Sequence, residues 1–238
     1  MIWYKAWLES RWRFAAGMLL ITAIAAMDIG QARLLMPRLG IPEDQFGQFV
    51  WKSYFTRIAF GWTLSALLLA AGGLVREQAL GSCLFSLSLP VSRRRWLAVR
   101  TLLALGQSLA LALMPAGIVP LMARLLGWSY SPWDAAKFSL LLFVTGLATF
   151  AVGILCSSLF QNEFASVAVG VGFVFACGMV ANAVAPHSEY GAYMTGRQHM
   201  DAAWHLTNGW PWWGIAANAV ACIALLGIAL RNLERRDF

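Results

Sequence analysis

The chain has 238 residues, of which 60% are hydrophobic and 12% charged, with a formal net charge of +7. A soluble globule must cover itself with polar groups, and average soluble domains carry about 25% charged residues, so this composition excludes an ordinary water-soluble fold. In a soluble protein the positive balance would point to nucleic acid; here the basic residues border apolar runs, which points to anionic headgroups and membrane orientation.

The predicted fold is all-α: one polytopic transmembrane domain over residues 1–238. Six spans are expected at about 14–30, 56–75, 97–123, 137–160, 164–186 and 212–231. Barrel strands alternate apolar with polar over about 10 residues. These runs are longer and apolar all round, and helices satisfy their own backbone hydrogen bonds as hydrocarbon demands.

In chain order, Trp3, Tyr4, Trp7 and Trp12 with Lys5, Glu9 and Arg13 predict an N-terminal amphipathic helix at the membrane interface. The uncharged run Phe14–Met27 follows. It covers only about 21 Å of a core about 30 Å thick, so it spans with Arg13 snorkelling at one end and Asp28 near the other interface. Ala23-Ile24-Ala25 after a basic start also resembles a signal-peptide cleavage site, but the aromatic-rich opening is unlike a simple basic leader. Asp28 reads as an interfacial or pore-rim carboxylate near Arg33. The loop from Ile29 to Arg57 carries the helix breakers Pro37, Gly40 and Pro42.

Between the second and third spans, the segment from Arg76 is moderately apolar and predicts a short helix at about 77–88 stopped by Pro90. Such a helix either lies on headgroups or docks its apolar side into a cytosolic partner. Arg93, Arg94 and Arg95 suit anionic lipid. Asn162 and Glu163 form a short turn before the fifth span, with Glu163 placed to cap it or to meet a cytosolic partner. Ala168, Gly172 and Ala176 repeat every four residues and suit close helix approach, within the chain or between subunits. Before the last span, His187, His199, Asp201 and His205 lie among tryptophans. Their spacing matches no familiar metal motif, and an interfacial belt is the simpler reading. Cys83, Cys156, Cys177 and Cys222 are far apart and predict neither disulfides nor a metal site.

Charge sets the expected orientation. With six spans, one side holds Lys5, Arg11, Arg13, Arg76, Arg93, Arg94, Arg95, Arg100, Arg231, Arg235 and Arg236; the other holds Arg33, Arg38, Lys52, Arg57, Arg124, Lys137 and Arg197. The excess puts both termini in the cytoplasm. The last five spans carry no ionisable residue at mid-depth. Ion-coupled transporters and intramembrane enzymes need such groups, so no catalytic residue is assigned and the spans read as a scaffold or pathway.

Several stretches together resemble one family. They are Glu77 ahead of Phe85-Ser86-Leu87-Ser88-Leu89-Pro90-Val91-Ser92-Arg93, the turn Gln161-Asn162-Glu163, the ending Glu234-Arg235-Arg236-Asp237-Phe238, and the opening Trp3-Tyr4-Lys5-Ala6-Trp7-Leu8-Glu9-Ser10-Arg11. In order and placement the chain resembles the type-2 ATP-binding-cassette (ABC) exporter permeases. The resemblance implies a pathway formed by two six-helix permease subunits, as a homo- or heterodimer, in the bacterial cytoplasmic (inner) membrane. It implies separate ABC ATPase subunits docked on the helix at 77–88, with Glu77, Leu80, Leu84, Phe85, Leu87, Pro90 and Arg93 as coupling residues. Asn162 and Glu163 would face the cytoplasm. The chain has no Gly-x-x-x-x-Gly-Lys-Ser/Thr phosphate loop, so ATP and Mg would be held by the partner and none in this chain. Two other readings stand beside this one: a membrane-integral enzyme using the outer His/Asp segment, and a non-catalytic membrane sensor or assembly protein.

Overall fold

The computed structural model describes residues 2–41, 46–50, 54–71, 93–184 and 212–235. Among them every regular element is helical: α1 (Ile2–Gly30), α2 (Ala32–Arg38), α3 (Phe46–Phe49), α4 (Phe55–Ala70), α5 (Arg93–Leu125), α6 (Pro132–Leu159), α7 (Glu163–Val184) and α8 (Trp212–Arg235). Five of these, α1, α5, α6, α7 and α8, are long and apolar enough to cross a membrane. The chain is therefore a multi-pass membrane protein, all-helical among the described residues. The sixth long apolar element, α4, has 16 described residues, about 24 Å of helix.

The sequence predicts an interfacial helix followed by a short span; in the structure both stretches fall on one helix, α1, which runs unbroken for 29 residues. At about 1.5 Å per residue it is about 43 Å long, more than a hydrocarbon core needs. No Gly or Pro falls between Trp3 and Ala16 to stop it. The first turns thus carry Lys5, Glu9, Arg11 and Arg13 past the apolar zone on the same rod that fills it.

Helix ends follow local chemistry. α5 is stopped at Gly127, which takes φ +83°, while Trp128 N–H donates to Ala123 O at 2.9 Å. That is the left-handed stop a glycine makes at low cost. α6 then starts with Ser131 at its N-cap, Pro132 in its first turn and Asp134 at the positive end of its dipole.

The core lies where α1, α4, α5 and α6 meet, around Ile21, Ile58, Trp62, Leu111, Phe138 and Phe150. α4 touches α1, α5, α6 and α7; α8 packs along α6 and, less, α5. Trp62 is the central wedge. Its indole N–H donates to Ser108 O at 2.9 Å, and its ring occupies the space that a Cβ at Gly146 would take. Gly17, Gly61 and Gly153 likewise let α1, α4 and α6 approach their neighbours, since a Cβ there would come within 2.6–2.8 Å of Leu111, Ile24 or Ala70. At one end of the bundle α2 and α3 bury Met36, Phe46 and Phe49, with Ile41 buried just after α2. Phe46 stacks on Trp128 at 4.5 Å and Phe55 on Phe138 at 3.6 Å.

Candidate functional site

Ion pairs show which helix ends share one face of the bundle. Arg94 Nε lies 2.5 Å from Glu234 Oε1, joining the start of α5 to the end of α8. Arg100 Nη1 meets Glu9 Oε2 at 2.9 Å, joining α5 to the start of α1. Arg13 pairs with Glu163, joining α1 to the start of α7. Asn232 Nδ2 donates to Ser158 O at 3.0 Å, adding the end of α6. The first and last described residues therefore sit at the same end.

The centre of this face is a backbone carbonyl. α4 stops at Ala71, whose ψ of 154° turns the chain extended and leaves its C=O outside the helical ladder. Arg13 Nη1 donates to that oxygen at 2.5 Å and Arg100 Nη2 at 3.3 Å. Both arginine side chains are only 11% exposed. Each is balanced by a carboxylate, so neither is a bare charge in a poorly hydrated place. Below them Gln107 Nε2 donates to Ser10 Oγ at 2.9 Å, and Ser10 Oγ donates to Ala6 O at 2.9 Å, continuing the polar seam between α1 and α5. Arg100 also lies over Trp96, 5.4 Å from the ring centroid. The clamp thus holds the last described residue before the 72–92 segment, using groups from α1, α5 and α7.

Of the expected coupling residues, Glu77, Leu80, Leu84, Phe85, Leu87 and Pro90 lie outside the described residues, as does the side chain of Arg93. His187, His199, Asp201 and His205 lie outside them too. Asn162 and Glu163 are described and lie in and just after the short turn before α7. Asn162 Oδ1 accepts from Phe164 N–H at 2.9 Å, so Asn162 caps α7, while Glu163 is committed to Arg13. Ala168, Gly172 and Ala176 are exposed rather than packed within the chain, and nothing lies within 4 Å of where a Cβ at Gly172 would be. The close approach on α7 is made instead by Gly170, toward Leu67 and Cys156.

At the opposite end Asp28 is buried and paired with Arg57, not with the expected Arg33. Arg33 instead stacks over Trp128 at 5.6 Å and donates to Leu126 O at 3.2 Å, satisfying a carbonyl just past the end of α5. Burial pushes the nearby Tyr130 phenol up, with the Asp134 carboxylate adding to the shift. Among the described residues no group of three His, Cys, Asp or Glu could hold a metal ion, and Cys156, Cys177 and Cys222 are free.

The clamp escaped the sequence reading because its pairs are separated by 29, 58 and 91 residues and one acceptor is a main-chain oxygen. The only prior signal was Glu9 and Arg13 one turn apart, ahead of the first apolar run. No family model, curated protein or solved structure matches this chain.

Proposed function

We propose that this chain is the transmembrane permease subunit of an ATP-driven exporter of the type-2 ABC kind, acting as a dimer in the bacterial cytoplasmic membrane with ATPase activity supplied by separate subunits. Both termini and the Ala71 clamp face the cytoplasm, where basic residues accumulate. ATP and Mg bind the partner, which docks on the segment around Glu77 to Leu87. The segment between spans two and three is the handle through which the partner moves the permease.

The observation that carries this reading is the grip of Arg13 and Arg100 on Ala71 O. The carbonyl is the root of the handle. Displacement of the handle is felt at once by α1 and α5 through the two arginines, and by α7 through Glu163. A rigid connection of that kind suits a two-state rearrangement of packed helices, because interfaces switch between discrete packings rather than stretching. Membrane-embedded acid–base groups are not required, since energy enters from the cytosolic side.

The test is co-purification of the tagged chain with its ATPase from native membranes, followed by reconstitution. Glu77→Ala with Phe85→Ala is expected to release the ATPase. Arg13→Gln with Arg100→Gln is expected to retain it while lowering substrate-stimulated ATPase activity about tenfold or more. Transport by the solitary chain without ATP, or a handle variant with unchanged assembly and turnover, defeats the reading.

A further inference from the structure

The outward face of α8 combines an apolar stripe with two cations at one end. Val220, Ala224 and Ile228 follow one another at four-residue steps and are exposed, with Ile223 exposed beside them. Arg231 and Arg235 continue the same face and are also exposed. Gly227 opens a notch between Ile223 and Ile228, with nothing within 4 Å of where its Cβ would be. The opposite face packs on α6 and α5, burying Cys222, Ala229 and Leu233.

Charge at this corner is not balanced by the described residues. Arg231 and Arg235 are four apart on one helix, a spacing at which like charges repel. The adjacent carboxylate, Glu234, is held by Arg94 at 2.5 Å. The two arginines therefore stand one turn apart and exposed on the same face at the helix end. A phosphodiester is the group that matches them, because planar guanidiniums bind phosphate oxygens in pairs. The stripe below runs about 12 Å along the helix axis and is wholly apolar, which suits an acyl chain hanging from that phosphate.

We infer that the α8 face is a binding site for one anionic phospholipid, with its phosphate between Arg231 and Arg235 and an acyl chain along Ile228, Gly227, Ala224 and Val220. The lipid relieves the repulsion between the two arginines and fills the notch at Gly227. A zwitterionic lipid brings its own cation to the same place and binds more weakly. The site is independent of the exporter reading, since it uses only the end of α8.

Native mass spectrometry of the purified full chain, in detergent doped with phosphatidylglycerol or phosphatidylcholine, reads this directly. Wild type is expected to retain phosphatidylglycerol preferentially. Arg231→Gln with Arg235→Gln should weaken that retention about 25-fold, at about fivefold per arginine near an anionic headgroup. Arg38→Gln with Arg124→Gln, which removes two exposed cations from the other end, should leave it unchanged. Equal retention of the two lipids by wild type, or equal retention of phosphatidylglycerol by wild type and the α8 double variant, overturns the site. Ile228→Cys supplies a second arm: efficient disulfide-linked dimers in native membranes would make a second copy the occupant and also overturn it.

Discussion

Asp28 and Arg57 illustrate how burial, rather than pairing, decides the cost of a substitution. Asp28 is 2% exposed, while the Arg57 side chain is 55% exposed. Arg57→Ala leaves a carboxylate stranded in a dry place, an outcome that costs up to about 3–5 kcal/mol when both partners are buried and less where the lost partner was half in solvent. Asp28→Asn strands a cation that already reaches water, so it should cost about 1 kcal/mol or less. Chemical unfolding in detergent compares them, and equal losses would refute the asymmetry. Gly146 makes the complementary steric case. Its missing Cβ is the room for the Trp62 ring, so Gly146→Ala should lower stability by about 1–3 kcal/mol through overpacking. Tyr130 adds a pH dependence. Its folded pKa lies above the ordinary value of about 10, so the folded state holds the phenolic proton more tightly than the unfolded chain. That contribution is complete below pH about 10 and is lost as pH rises toward the folded pKa. Tyr130→Phe should flatten the alkaline limb of stability against pH, measured by thermal unfolding.

At the scale of elements, the hydrophobic runs of α5, α6, α7 and α8 were legible because hydrocarbon imposes a length and an apolar composition on each. The start of α1 was not, because Arg13 interrupts the uncharged count although no Gly or Pro falls between Trp3 and Ala16 to stop the helix. A charge within a span reads as a boundary until its partner is known, and that partner, Glu163, is 150 positions away on α7. The same blindness assigned Asp28 to Arg33 by proximity in sequence, whereas the arginine that reaches it stands on α4. On α7 the four-residue repeat of Ala168, Gly172 and Ala176 was visible, but periodicity does not say which side of a helix meets a neighbour. Gly170 takes the contact with Leu67. The bond between α1 and α7 can be measured on its own. In a double-mutant cycle, Arg13→Ala and Glu163→Ala should couple by about 0.5–3 kcal/mol, whereas Arg11→Ala with Glu163→Ala should be additive, since Arg11 is exposed and stacked over Trp12.

For the whole molecule, the two faces of the bundle are chemically unlike, and this asymmetry yields an orientation that labelling can check. One end joins α1, α5, α7 and α8 through ion pairs around Ala71 O, with Arg94, Arg95, Arg231 and Arg235 exposed there. At the other lie α2 and α3, where Phe46, Trp128, Phe55 and Phe138 stack and Asp28 is buried against Arg57. Eleven of the 18 Lys and Arg residues fall on the first side in a six-span reading. By the positive-inside bias, the orientation proposed above puts that side in the cytoplasm. In intact cells, with native cysteines replaced, an impermeant thiol reagent should therefore modify Arg38→Cys, at the end of α2, and not Arg235→Cys or Ser88→Cys. Permeabilisation should then expose the last two. Modification of Ser88→Cys from outside would put the handle on the wrong side of the membrane for any ATP-driven partner. The Ala71 clamp would then be left as a structural tie between helices, with no force to transmit.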